Sequence, residues 1–124
     1  MHFGIIETES LENKKILGDF NILKSYEESH PEDEVKAWTI NKISLEWEGT
    51  LNLIKKLSKS MNGGWYSLIW NDEFVWVIFR DKFFKIKNEN PWNKKEFNEV
   101  VDYGLSQGIK KIYFDNLRNS INYF

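Results

Sequence analysis

The sequence predicts an α+β domain: an antiparallel sheet built on a three-stranded meander at about residues 64–87, packed against two main helices at about 47–61 and 94–107. Three observations carry that reading. Two β-rich runs, Trp65–Trp70 and Glu73–Phe79, are joined by Asn71-Asp72, and Arg80-Asp81-Lys82 leads into a third at Phe83–Ile86, which is hairpin composition with hairpin turn chemistry. From Trp47 to Met61 the apolar set Trp47, Leu51, Ile54, Leu57 and Met61 steps by four and three, aligning on one helical stripe that Gly63-Gly64 should close. Asn93 stands three residues before Glu96, with Trp92 and Phe97 flanking them. That is a capping box with a hydrophobic staple, and it starts a helix at Lys94.

The remaining elements follow in chain order. His2–Glu7 suits a short strand, and Ser10–Leu17 two helical turns closed by Gly18. Phe20–Tyr26 alternates with period two and reads as a strand, although Ile22, Leu23 and Tyr26 would also share a helix face. Glu27–Glu34 is charged and contains Pro31, so it reads as a loop. Val35–Leu45 is a strand whose apolar phase shifts from Trp38 and Ile40 to Ile43 and Leu45, as a bulge near Asn41-Lys42 would produce. The second helix carries Phe97, Val100, Val101, Gly104 and Leu105 on its buried stripe and should end at Gly108. Ile109–Phe114 then reads as a last strand, with Asp115 capping a closing helix that reaches Ile121.

A chain of 124 residues is one domain's length, and nine Phe, six Trp and five Tyr exclude a disordered chain. Without cysteine there is no disulfide framework, thiol nucleophile or cysteine metal site. The first residues lack the basic run and apolar stretch of a signal peptide, and no apolar segment is long enough for a membrane span, so the expected setting is cytoplasmic, with no membrane partner. The net charge of -2 is unevenly spread: residues 1–34 carry nine acids against three bases, and the rest is mildly basic. That acidic segment also holds Phe3, Ile5, Ile6, Ile16, Leu17, Phe20, Ile22 and Leu23. The expectation is therefore a single domain, 1–124, with 1–34 docked onto a 35–124 core.

Registering the meander by its turns puts Tyr66, Leu68, Trp70, Val75, Val77, Phe79, Phe84 and Ile86 on one face, the expected core. The opposite face holds Trp65, Phe74, Trp76 and Phe83 with a rim of Arg80, Lys85 and Lys87, and these seven are the candidate binding residues. Aromatic faces with cationic rims suit bases, peptides or a small ligand. The competing expectation is that another layer buries this face, because sheets apolar on both sides are covered. His30 beside Glu32, Asp33 and Glu34 has the chemistry to bind a divalent metal or exchange protons, but the run lacks a converging frame and reads as a solvated loop. No Gly-x-Ser-x-Gly elbow, phosphate loop or dinucleotide fingerprint is present, so no catalytic residue, metal or cofactor is expected.

Gly64-Trp65-Tyr66, Trp70-Asn71 and Phe79-Arg80-Asp81-Lys82-Phe83-Phe84-Lys85-Ile86 resemble a group of small uncharacterised prokaryotic proteins. Their pattern is a Gly-Trp-Tyr strand, a Trp-Asn turn and a Val-Phe-x-x-Lys-x-Phe hairpin. Val101–Ile109, containing Tyr103-Gly104-Leu105-Ser106-Gln107-Gly108, is similar to the group's second signature, a helix ending in Tyr-Gly-Leu-x-x-Gly-Ile. Ser67-Leu68 departs from it where the group often has a small residue and a histidine, and Lys110-Lys111 where it often has a proline and acids. The resemblance implies one shared architecture over roughly residues 35–115, a domain of unknown function, and no catalytic residue.

The leading functional expectation is a non-enzymatic binding or protein-interaction module that engages a protein partner or a second copy through the aromatic sheet face. The alternative is a small-ligand enzyme with a carboxylate and tyrosine pocket between sheet and helix. Single-stranded nucleic-acid binding is a third, weaker expectation, because net -2 offers little long-range attraction. A cleft with a strongly shifted carboxylate would favour the pocket, and a flat exposed Trp65–Trp76 face would favour the module.

Overall fold

The structure, a computed structural model, describes residues 1–46 and 48–124. Six strands form one antiparallel sheet: β1 (His2–Glu7), β2 (Asn21–Ser29), β3 (Ala37–Leu45), β4 (Ser67–Trp70), β5 (Phe74–Phe79) and β6 (Lys82–Lys87). Their spatial order is β2-β3-β1-β4-β5-β6. Four helices accompany them: α1 (Thr50–Ser60), α2 (Lys94–Ser106), α3 (Lys111–Asp115) and α4 (Leu117–Asn122). The fold is α+β, and the acidic N-terminal third supplies two of the six strands, with β1 hydrogen-bonded between β3 and β4 at the centre.

Different parts of the chain pack against the two faces of the sheet. On the first face, Ile6, Ile43, Leu45, Ile69, Trp76 and Ile78 pack against Ile54 and Leu57 of α1 and against Leu11, Ile16 and Phe20 of two short 3-10 segments, Thr8–Ser10 and Lys14–Asp19. On the second, Leu68, Trp70, Val75, Val77, Phe79 and Ile86 meet Val100 of α2, Ile109, Phe114 of α3 and Leu117 of α4. Burying each such side chain is worth about 1.5–3 kcal/mol before entropy, so neither layer is dispensable.

The meander has the expected faces but a different register. Trp70 pairs with Val75 and Phe79 with Lys82, so the turns centre on Asp72-Glu73 and Arg80-Asp81, each displaced by one residue from the expected position. The Asn71 carboxamide sets the first turn by accepting from the Glu73 and Phe74 amides, both at 2.8 Å, and Asp81 takes the left-handed φ of 57° that the second requires. Moving a turn centre by one residue changes the pairing sum by two, so every side chain keeps its face.

Four local expectations are corrected. Helix α1 begins at Thr50 rather than near residue 47, because Gly49 holds a left-handed φ of 77° outside it; Trp47 lies outside the described residues, and Leu51 is exposed. The Gly18 helix is instead the pair of 3-10 turns. Strand β2 runs on through Ser29, pairing Glu27–Ser29 with Ala37–Thr39, so the charged loop is shorter than its composition implied. Ile109–Phe114 does not form a strand; Lys111–Asp115 is helical, and Asn116 rather than Asp115 precedes α4. The ring of Phe114 occupies the space a side chain on Gly104 would fill: a Cβ there would sit 2.0 Å from the Phe114 Cζ.

The phase shift in β3 has no bulge behind it. Pairing with β1 runs unbroken from Glu7↔Ile40 to His2↔Leu45, and the irregularity lies in β2 at Leu23. Ile43 and Leu45 face the α1 layer, whereas Trp38 and Ile40 face the other side, so two buried surfaces are served by one regular strand.

The start of α2 has the expected Asn93 cap and aromatic staple, without a return bond from the Glu96 side chain. Asn93 accepts from the Glu96 amide at 3.1 Å, and Trp92 stacks on Phe97 at 5.4 Å. Asn93→Ala should lower stability by about 1 kcal/mol, seen as a reduced midpoint in thermal melts, since it strands an amide at the helix N-terminus. An unchanged midpoint would mean the cap is not used.

Candidate functional site

Helices α2–α4 cover the second face over β4–β6 but leave its other half open. Over β1, β2 and β3 lies a cleft of about 830 Å³, closed on one side by α3 and α4 and on another by the His30–Val35 turn. Alternation along three strands supplies its floor: Ile5 and Glu7 of β1, Ile40 and Lys42 of β3, and Tyr26 and Glu28 of β2. Trp65 and Tyr66, just before β4, add an aromatic wall.

Four rings form one corner. His30 stacks on Trp38 with centroids 3.5 Å apart, Trp38 meets Trp65 edge-on at 4.9 Å, and Tyr113 of α3 lies 5.3 Å from Trp38. Polar contacts lock this corner. His30 Nε2 lies 2.6 Å from Glu28 Oε1, Lys110 Nζ lies 2.7 Å from Asp33 Oδ1, and the Tyr113 hydroxyl donates to Asp33 Oδ2. The Lys110 and Tyr113 hydrogen bonds hold the Asp33 carboxyl below its ordinary range. Burial, then the Asp33 hydrogen bond, push the Tyr113 hydroxyl up to about 12. His30 is therefore not in a solvated loop as its sequence context implied; its side chain is only 14% exposed.

Glu7 is the outlier. Its Oε2 is closed to solvent and has no hydrogen-bond partner. Burial pushes its carboxyl up to about 8, opposed by its own backbone amide and reinforced by Glu28 and Glu9. Near neutral pH this group holds a proton. It can donate a hydrogen bond or, if ionised by a ligand, provide a negative charge at the floor of the cleft. Tyr66 donates to the Tyr113 carbonyl at 2.6 Å and is raised by burial and by Glu7, so it remains neutral.

The seven residues singled out from the sequence are not gathered into one open platform. Trp76 is buried beneath α1, and Phe74 and Phe83 are partly packed against the same core. Lys85 lies over the Phe74 ring at 4.0 Å, Arg80 pairs with Glu12 at 3.3 Å, and Lys87 is exposed at the β6 edge. Only Trp65 reaches the cleft. Glu7, Glu28, Trp38, Tyr66 and Tyr113 were missed as site residues. One signal was readable: Phe3, Ile5 and Glu7 share a face of β1, and a carboxylate that continues an apolar stripe is costly without a purpose.

Among the described residues no cluster of three or more His, Asp or Glu side chains is arranged to hold a metal ion, and no helix is long and apolar enough to cross a membrane. Comparison with family models, with curated proteins and with solved structures finds no match.

Proposed function

We propose that this protein is a cytoplasmic small-molecule-binding domain whose ligand occupies the cleft over β1–β3. The observation that carries this reading is Glu7 Oε2, closed off without a hydrogen-bond partner beside a cleft lined by aromatic rings and charged side chains. A buried polar atom without a partner costs on the order of 1–3 kcal/mol, and a ligand that draws the Glu7 carboxyl towards the cleft and bonds it recovers that cost. The volume suits a small molecule, and the aromatic wall beside fixed charged groups gives such a ligand both contact surface and orientation. Burial of Trp76 under α1 weighs against the aromatic-face interaction module. The pocket alternative is thus preferred as a binding site, and Glu7 gives it the means for proton exchange.

Amide chemical-shift mapping with a panel of small aromatic amines, acids and alcohols tests this. Perturbations should cluster at Glu7, Trp38, Ile40 and Tyr113. Perturbations confined to Phe74–Lys87 would instead favour the aromatic sheet face, and a panel-wide absence of shifts at the cleft would reject the proposal.

A further inference from the structure

We infer that the cleft selects an organic cation, an ammonium group carried on an apolar or aromatic body, with Glu7 as its counter-ion. This rests on reading the cleft as the ligand site. Five acidic side chains line it, Glu7, Glu28, Glu32, Asp33 and Glu34, against the lysines Lys42 and Lys110. Both lysines are already engaged. Lys110 is held by Asp33 at 2.7 Å and by the Glu32 carbonyl at 3.4 Å, and Lys42 donates to the Phe124 carbonyl at 2.8 Å. An anionic ligand would therefore meet surplus negative charge with no uncommitted lysine to balance it.

The rings favour the same ligand. Aromatic faces attract ammonium groups, more strongly where water is excluded. The protein already uses this here: Lys24 and Lys42 place their Nζ atoms 5.7 and 5.8 Å from the centre of the Tyr26 ring. Trp65 and Tyr66 offer further ring surface in the cleft. A neutral ligand could take one hydrogen bond from a protonated Glu7. A cation gains the full charge of the ionised carboxylate together with those faces.

Binding should then displace the Glu7 proton. The titratable and charged groups around Glu7 are Glu28 and Tyr26 of β2, His30 bonded to Glu28, Glu9 after β1, Lys42 of β3, Tyr66 and Tyr113. The tyrosines stay neutral across pH 6–9, being raised by burial, and the Glu7→Gln variant separates the Glu7 contribution from that of His30.

The test uses the full chain and isothermal titration with benzyltrimethylammonium, whose charge does not depend on pH, beside benzyl alcohol and benzoate. The cation should bind at least tenfold tighter than either comparator. Its affinity should rise severalfold per pH unit from pH 6 and level off above about pH 8, with a proton released on binding. Glu7→Gln should remove both the preference and the pH dependence. Benzoate or benzyl alcohol binding in the cleft as tightly as the cation would overturn the ligand class and leave the cleft reading standing; binding of none of the three there would count against both. Should Glu7→Gln fail to fold, the pH dependence of the unaltered protein decides: affinity for the cation that is flat from pH 6 to 9 overturns the inference.

Discussion

A chain lacking residues 1–20 will show no cooperative thermal transition. These residues hold β1, which is hydrogen-bonded on one side to β3 and on the other to β4, so their removal cuts the sheet into a two-stranded ribbon and a three-stranded meander. A two-stranded ribbon has little stability of its own in water. The cut also removes Ile6, Leu11, Ile16 and Phe20 from the layer over Trp76 and Ile78. At about 1.5–3 kcal/mol for each side chain, the loss rivals the roughly 5–15 kcal/mol that holds a domain of this size together. Tryptophan emission should shift to the red and quencher access should rise as Trp76 loses its cover. A truncated chain that still melts cooperatively, with unchanged emission, would contradict this view of the fold.

The second large effect is at Glu7, and its sign depends on pH. Folding raises the Glu7 carboxyl from 4.5 to about 8, so between these values the folded protein keeps a proton that the unfolded chain has released. The stability tied to that proton is full below about pH 4.5, declines as pH rises, and is gone once pH passes about 8. Glu7→Gln resembles the protonated group and cannot ionise. It should match the parent protein in strongly acid solution and exceed its stability at pH 8–9, by on the order of 3 kcal/mol. Paired denaturant titrations at pH 4 and pH 8.5 would show it. A variant less stable than its parent at pH 8.5 would mean that the ionised carboxylate has a stabilising partner.

Much of the fold was legible because it rests on short-range rules. Alternation and turn chemistry located β4–β6, and their faces survived the displaced turns because both errors preserved parity. Asn93, Glu96, Trp92 and Phe97 located α2 because a cap is a local device. What sequence alone did not show is what covers what. Trp38 and Ile40 lie on one face of β3 while Ile43 and Leu45 lie on the other, which reads as a broken pattern until two separate layers are known to exist. β2 is exposed along all nine residues, so no burial rhythm separated its charged end from a loop. The C-terminal run became helical through the fit of Phe114 against Gly104, a contact between elements that no local window contains. The cleft was hidden for the same reason. Glu7, Tyr66 and Tyr113 are far apart in the chain and meet only because β1 is threaded between β3 and β4.

The site depends on a carboxyl kept neutral at the cleft, and a ¹³C titration of the Glu7 side-chain carboxyl measures that directly, with Glu7→Gln identifying the resonance. A midpoint near pH 8 is expected, far above the ordinary carboxylate range. A midpoint in the ordinary carboxylate range would show that water or another group already satisfies Glu7, and would contradict its role as the unsatisfied group awaiting a ligand.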